Sequence, residues 1–95
     1  MRKSYLFVYN DIVGTREAVR QSLDKMRTVL TWRYDMPNVF YLVSGGSAYD
    51  LAREFEAIHG NNGRFIFLEY SPNSQGRLTE ESWHLLNATQ HKPEK

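Results

Sequence analysis

The sequence predicts an α+β sandwich: two helices against a four-stranded antiparallel sheet, with a third helix at the C-terminal end. Three observations carry that expectation. Residues 30–44, LTWRYDMPNVFYLVS, read as two strands around a tight turn. Their flanks hold the β-branched and aromatic residues that suit a pleated surface. Asp35-Met36-Pro37-Asn38 supplies the turn, Pro by fixing φ and Asn by tolerating positive φ. One apolar-periodic helix precedes this hairpin and another follows it, each with a further strand beyond.

Taken in order, residues 4–10 (SYLFVYN) alternate Leu6 and Val8 on one face with Tyr5, Phe7 and Tyr9 on the other. Asp11 to Gly14 reads as a loop, and Thr15 as the N-cap of a helix running to Arg27. Ala18, Val19, Ser22, Leu23 and Met26 form its apolar stripe. After the hairpin, Ser47 with Asp50 three residues on makes a capping box. The helix that follows turns Leu51, Ala52, Phe55 and Ile58 inward, and Gly60 ends it as a left-handed C-cap. Residues 64–70 (RFIFLEY) are the fourth strand, and 71–77 have loop composition with room for a short fifth strand. Thr79 caps a third helix, with Leu78 stapled onto Trp83. The order βαββαβ is the split arrangement of ferredoxin-like domains. Residues 1–87 are read as one such domain and 88–95 as a polar, frayed tail.

The bulk numbers bound the function. Ninety-five residues hold one core. Twelve Lys and Arg against eleven Asp and Glu leave a net charge of +1, so no global field draws in nucleic acid or an anionic membrane. The absence of cysteine removes disulfides, thiolate zinc sites and cysteine nucleophiles. The basic N-terminus is followed by an apolar run too short for a signal peptide or a membrane span. A small soluble cytoplasmic protein with no membrane partner is expected.

Two helices cover only one face of such a sheet. Leu6, Val8, Ile66 and Leu68 are read as the side that meets them. Tyr5, Phe7, Tyr9, Phe65 and Phe67 then form a second, aromatic face, joined by hairpin residues whose register the pattern leaves open. A contiguous apolar patch of that kind calls for a cover. The third helix with Trp83 and Leu86, a second copy of the chain, or bases stacked from a single strand of nucleic acid all fit.

Leu6-Phe7-Val8-Tyr9-Asn10 is similar to one motif of the RNA-recognition domains, but the third strand lacks the basic-Gly pair of its partner motif. A broader likeness covers almost the whole chain. Tyr9-Asn10-Asp11 at the end of the first strand, the aromatic hairpin from Trp32 to Ser44, the strand Arg64 to Tyr70 and the helix Thr79 to Asn87 follow one another in the layout of a known group. The chain resembles the small ferredoxin-like proteins grouped with the CRISPR-associated endoribonuclease of the adaptation complex, with VapD toxins and with SinR-like bacterial proteins. The resemblance implies a homodimer in which paired carboxylates ending the first strand hold Mg²⁺ or Mn²⁺ and cleave RNA. Here Asn10 follows Tyr9 directly and Asp11 comes one place later. Asp11 is the catalytic and metal candidate, equally well read as a loop residue that bonds its own backbone. Arg2, Lys3, Arg33 and Arg64 are candidates for a nucleic-acid-binding edge. His59, His84 and His91 lack metal-ligand spacing, and Ser44-Gly45-Gly46-Ser47 lacks the Lys of a phosphate loop. The favoured reading is a non-catalytic homodimer that binds nucleic acid or another partner. The alternatives are a metal-dependent endoribonuclease and a regulatory domain that binds a small molecule, and no cofactor is expected outside the nuclease reading.

Overall fold

The computed structural model describes every residue except Lys92, Glu94 and Lys95. The chain runs β1 (Lys3–Tyr9), a 3-10 turn (Asp11–Val13), α1 (Arg16–Lys25), β2 (Val29–Met36), β3 (Val39–Ser44), α2 (Ala48–His59), β4 (Phe65–Glu69) and α3 (Glu80–Ala88). The architecture is α+β, one four-stranded sheet with order β2-β3-β1-β4 in which each neighbouring pair is antiparallel. Among the described residues no helix is long and apolar enough to cross a membrane.

Local chemistry sets the element ends. Thr15 Oγ1 accepts from the Ala18 N–H at 3.1 Å, and Ser47 and Asp50 cap α2 reciprocally, each bond 3.1 Å long. Thr79 Oγ1 accepts from the Ser82 N–H at 3.3 Å to start α3. The Glu54 carboxylate of α2 receives the N–H groups of Arg27 at 2.7 Å and Thr28 at 3.0 Å. Those amides are therefore bound outside the helix, and α1 stops at Lys25, short of Arg27. The hairpin turns over Pro37-Asn38, with Asn38 at φ 63°. Gly60 ends α2 at φ 106° and ψ −174°, a positive φ but not the left-handed cap expected. No fifth strand forms in 71–77. α3 ends at Ala88, and beyond it the Thr31 hydroxyl hydrogen-bonds the His91 ring; Lys92, Glu94 and Lys95 lie outside the described residues.

The two faces of the sheet are the reverse of the sequence expectation. Tyr5, Phe7, Tyr9, Phe65 and Phe67 pack against α1 and α2, in one core with Val19, Leu23, Phe40, Leu42, Leu51 and Phe55. Phe55 stands at its centre, its ring centroid 4.8 Å from Phe7 and 5.1 Å from Phe65. These five aromatics are therefore neither a dimer face nor a stacking face. The physical reason is ring packing: Phe55 of α2 meets Phe7, Phe65 and Phe67, while the Tyr5 hydroxyl donates to the Gly46 carbonyl at 2.7 Å. Trp32 belongs to this side, edge-on to Phe40 and donating from Nε1 to Asp24 at 2.6 Å.

The opposite face carries Ser4, Leu6, Val8, Arg33, Tyr41 and Val43, fixed by the pairings Leu6↔Tyr41 and Arg33↔Tyr41. Here α3 folds back, burying Leu85 and Leu86 against Tyr41 and Val43, with Leu78 and Trp83 packed alongside. Of the three covers, the third helix is the one present within the chain, over the aliphatic side. Phe55→Ala is expected to cost about 3–5 kcal/mol, the range for a fully buried ring, read as a lower denaturant midpoint at unchanged slope.

Candidate functional site

At the end of β1 the backbone pairing continues one residue past the strand. Asn10 N–H donates to the Arg64 carbonyl at 3.0 Å, and Asn10 Oδ1 accepts from the Arg64 N–H at 3.1 Å. Gly63 makes this closure possible. A Cβ there would lie 2.6 Å from the Val13 nitrogen and 2.8 Å from Asn10 Oδ1, and its φ is +85°. Asp11 opens the 3-10 turn, is exposed, and accepts from Asn38 Nδ2 at 2.9 Å. The same Asn38 amide also donates to the Tyr9 carbonyl at 3.0 Å. Asp11 thus fastens the hairpin turn to the end of β1. Among the described residues no group of three or more His, Asp or Glu comes together as metal ligands. Asp11 stands as a single carboxylate within one chain, with one oxygen already bound.

The basic candidates do not converge. Lys3 begins β1 and pairs with Glu69 at 3.6 Å, while Arg64 sits beside the other end of the strand, roughly 20 Å away along it. Arg2 reaches across to the Thr89 carbonyl at 3.5 Å, near the end of α3. Arg33 lies on edge strand β2 and donates from Nε to Ser82 Oγ at 3.0 Å, under the helix. Arg2 and Lys3 lie at one end of β1, Arg64 beside its other end and Arg33 within β2, so no continuous basic edge forms from them.

The histidines divide by role. His59 Nε2–H donates to the Val13 carbonyl at 2.6 Å, which leaves Nδ1 to accept the Ser22 hydroxyl at 2.7 Å. It ties α2 to α1 and to the 3-10 turn, a part its place near a helix end did not reveal. His84 Nε2 is shielded and has no hydrogen-bond partner among the described residues. In the Ser44–Ser47 turn two amides are already taken, Gly46 N–H donating to Ser44 Oγ at 2.9 Å and Ser47 N–H to Asp50.

Sequence reasoning missed the polar cluster that holds α3. Asp35 Oδ1 accepts from the Tyr41 hydroxyl at 2.7 Å, and Oδ2 from the Thr79 N–H at 3.0 Å and the Thr79 hydroxyl at 3.3 Å. Burial acts to raise the Asp35 pKa, but the bonds from Thr79, Tyr41 and Ser82 outweigh it and hold the carboxyl below its usual value. Burial, with the hydrogen bond to Asp35, pushes the Tyr41 phenol far up. The signal was an Asp at the end of one strand and a Thr that caps a distant helix, a pairing no local pattern displays.

Since α3 is short and anchored over the β2–β3 side, it leaves the β1–β4 side open. Val8 is 37% exposed, Leu68 42% and Ile66 55%, all on one face. Beside them a groove of about 180 Å³ runs between Leu6, Leu68, Leu78, Trp83 and Leu86. The strip adjoins β4, which has β1 on one side and no strand on the other.

Two outcomes test this geometry. The folded Asp35 pKa is depressed, so its contribution is present above the unfolded value of about 3.9 and is lost as pH falls through the folded one. Glu54 is lowered in the same sense: its hydrogen bonds from Thr28 and Arg27 exceed the opposing effect of burial. Asp35→Asn will therefore be less stable than wild type at neutral pH and flatter in acid, as measured by urea unfolding across pH. Gly63→Ala will lose more than about 1 kcal/mol, from strain at positive φ and the clash with Val13; unchanged thermal stability would contradict this close approach.

No protein-family model matches the chain, and neither does any curated protein or solved structure.

Proposed function

We propose that the protein is a ferredoxin-like homodimer that binds another macromolecule without chemical turnover, within the group of CRISPR-associated endoribonuclease and VapD-like proteins that its layout resembles. The strand order β2-β3-β1-β4 supports the ferredoxin-like part of this reading, since it places β1 and β3 in the middle and alternates direction throughout. The observation that carries the binding role is the exposed strip Val8, Ile66 and Leu68 beside an unpaired strand. An apolar patch at a sheet edge is where a soluble domain takes a partner.

Catalysis is the weaker reading on chemical grounds. A divalent metal needs several oxygen ligands, and among the described residues no group of three His, Asp or Glu gathers to hold one, while one oxygen of Asp11 is committed to Asn38. Nucleic acid is a weaker partner than protein, because phosphate contacts draw on clustered cations and Arg2, Lys3, Arg33 and Arg64 stand apart. The regulatory reading has one specific support, the apolar groove of about 180 Å³ beside Trp83.

RNA and DNA of mixed sequence, incubated with wild type and Asp11→Ala, with Mg²⁺ or Mn²⁺ and with chelator, will separate these readings. The expected result is no cleavage in any sample. Cleavage by wild type that disappears in both Asp11→Ala and the chelated sample would establish the nuclease. Binding without cleavage that weakens steeply with salt would restore nucleic acid as the partner.

A further inference from the structure

We infer that the homodimer proposed above forms by antiparallel pairing of β4 with β4 of a second copy about a two-fold axis at Phe67, joining the two sheets into one of eight strands. The inference rests on the homodimer reading and adds its geometry.

The hydrogen-bond parity of β4 comes first. Tyr70 N–H donates to the Ser4 carbonyl at 2.8 Å and Asn10 N–H to the Arg64 carbonyl at 3.0 Å. In an antiparallel ladder these directions alternate along the strand. Arg64, Ile66, Leu68 and Tyr70 therefore turn their amides and carbonyls toward β1, and Phe65, Phe67 and Glu69 turn theirs to the free edge. The outward set is symmetric about Phe67. A two-fold there sets Phe67 opposite its own copy and Phe65 opposite the other chain's Glu69, each pair exchanging two hydrogen bonds.

The side chains obey the same symmetry. Ile66 and Leu68 flank Phe67 on the face that α3 leaves open, exposed by 55% and 42%. In this register Ile66 meets Leu68 of the second copy and Leu68 meets its Ile66, both as close, non-hydrogen-bonded pairs. Val8, one strand in and paired with Ile66, extends the apolar strip on either side.

The two edges of the sheet differ as this requires. β2 is protected: its register slips between Val29 and Thr31 and again between Arg33 and Met36, and Arg33 and Asp35 stand on it. Bulges and charges of that kind discourage edge pairing. β4 has an unbroken register, no proline, and a charge only at its last residue. It is the edge left fit for a partner strand, and its own sequence is complementary to itself.

Two variants test the register. Glu69→Pro removes an N–H that faces the free edge rather than β1, so the monomer fold tolerates it while the intermolecular ladder does not. The chain has no native cysteine. An equimolar mixture of Ile66→Cys and Leu68→Cys chains therefore places single thiols opposite each other, at a Cα separation of about 4.5 Å that suits a disulfide. Light scattering should give a dimer for wild type and a monomer for Glu69→Pro with unchanged circular dichroism. The mixed cysteine chains should cross-link on mild oxidation, and either chain alone should not. A wild-type monomer at high micromolar concentration would overturn both this geometry and the homodimer reading. A wild-type dimer whose mixed cysteine chains fail to cross-link would overturn the β4 pairing and leave the homodimer standing. If Glu69→Pro fails to fold, the cysteine mixture alone decides.

Discussion

The hydrogen bonds between Asp35 and Thr79 fix where α3 lies, and much of the surface follows from that position. Asp35 lies one residue before the end of β2, accepts the Thr79 N–H at the start of α3 and is held in turn by the Tyr41 hydroxyl of β3. Arg33 and Ser82 extend the contact by one more bond. An ionised carboxylate at a helix N-terminus meets both free amides and the positive end of the dipole. This is a favourable use of a partly buried charge, since three hydrogen bonds reach its two oxygens. The helix is pinned at that end on the β2–β3 side, and nine residues of α-helix rise only about 13 Å.

A four-stranded sheet is wider than one such helix. The covered part of the second face holds Tyr41, Val43 and Ser4, whose hydroxyl reaches the Leu85 carbonyl at 3.3 Å. The uncovered part holds Val8, Ile66 and Leu68. Covering and exposure are thus two results of one anchoring point. The loop from Ser71 to Leu78 crosses the gap without closing it, lining the groove with Ser74, Gln75 and Gly76 before Leu78 joins the apolar wall.

Local structure was readable because local chemistry dictates it. Thr15, Ser47 and Thr79 each cap the helix they were expected to cap, and Pro37-Asn38 makes the turn. The assignment of sheet faces was not readable in the same way. Alternation divides β1 into Leu6 and Val8 against Tyr5, Phe7 and Tyr9, but both sets are apolar, so periodicity separates the faces without orienting them. Phe55 held the missing information: an aromatic in the middle of α2's buried stripe asks for ring partners, which only the Tyr5–Phe7–Tyr9 face supplies. The Asp35–Thr79 contact joins residues 44 positions apart. No window of sequence reveals it.

The end of β1 shows how the place of one carboxylate decides its part in the fold. The resemblance drawn from the sequence would put a carboxylate directly after Tyr9. Here position 10 is occupied by an amide whose oxygen takes the Arg64 N–H and whose backbone takes the Arg64 carbonyl, so the residue completes the β1–β4 ladder. The approach of Gly63, which leaves no space for a Cβ beside Asn10 Oδ1, holds that side chain against β4. The carboxylate one place on is carried into a 3-10 turn and bonded by Asn38. Asn10 and Asp11 therefore have different tasks. At the strand end the side chain closes the sheet, and in the turn it secures the hairpin. Both tasks are structural and both strengthen the frame that presents β4, which is where the open surface of this protein lies.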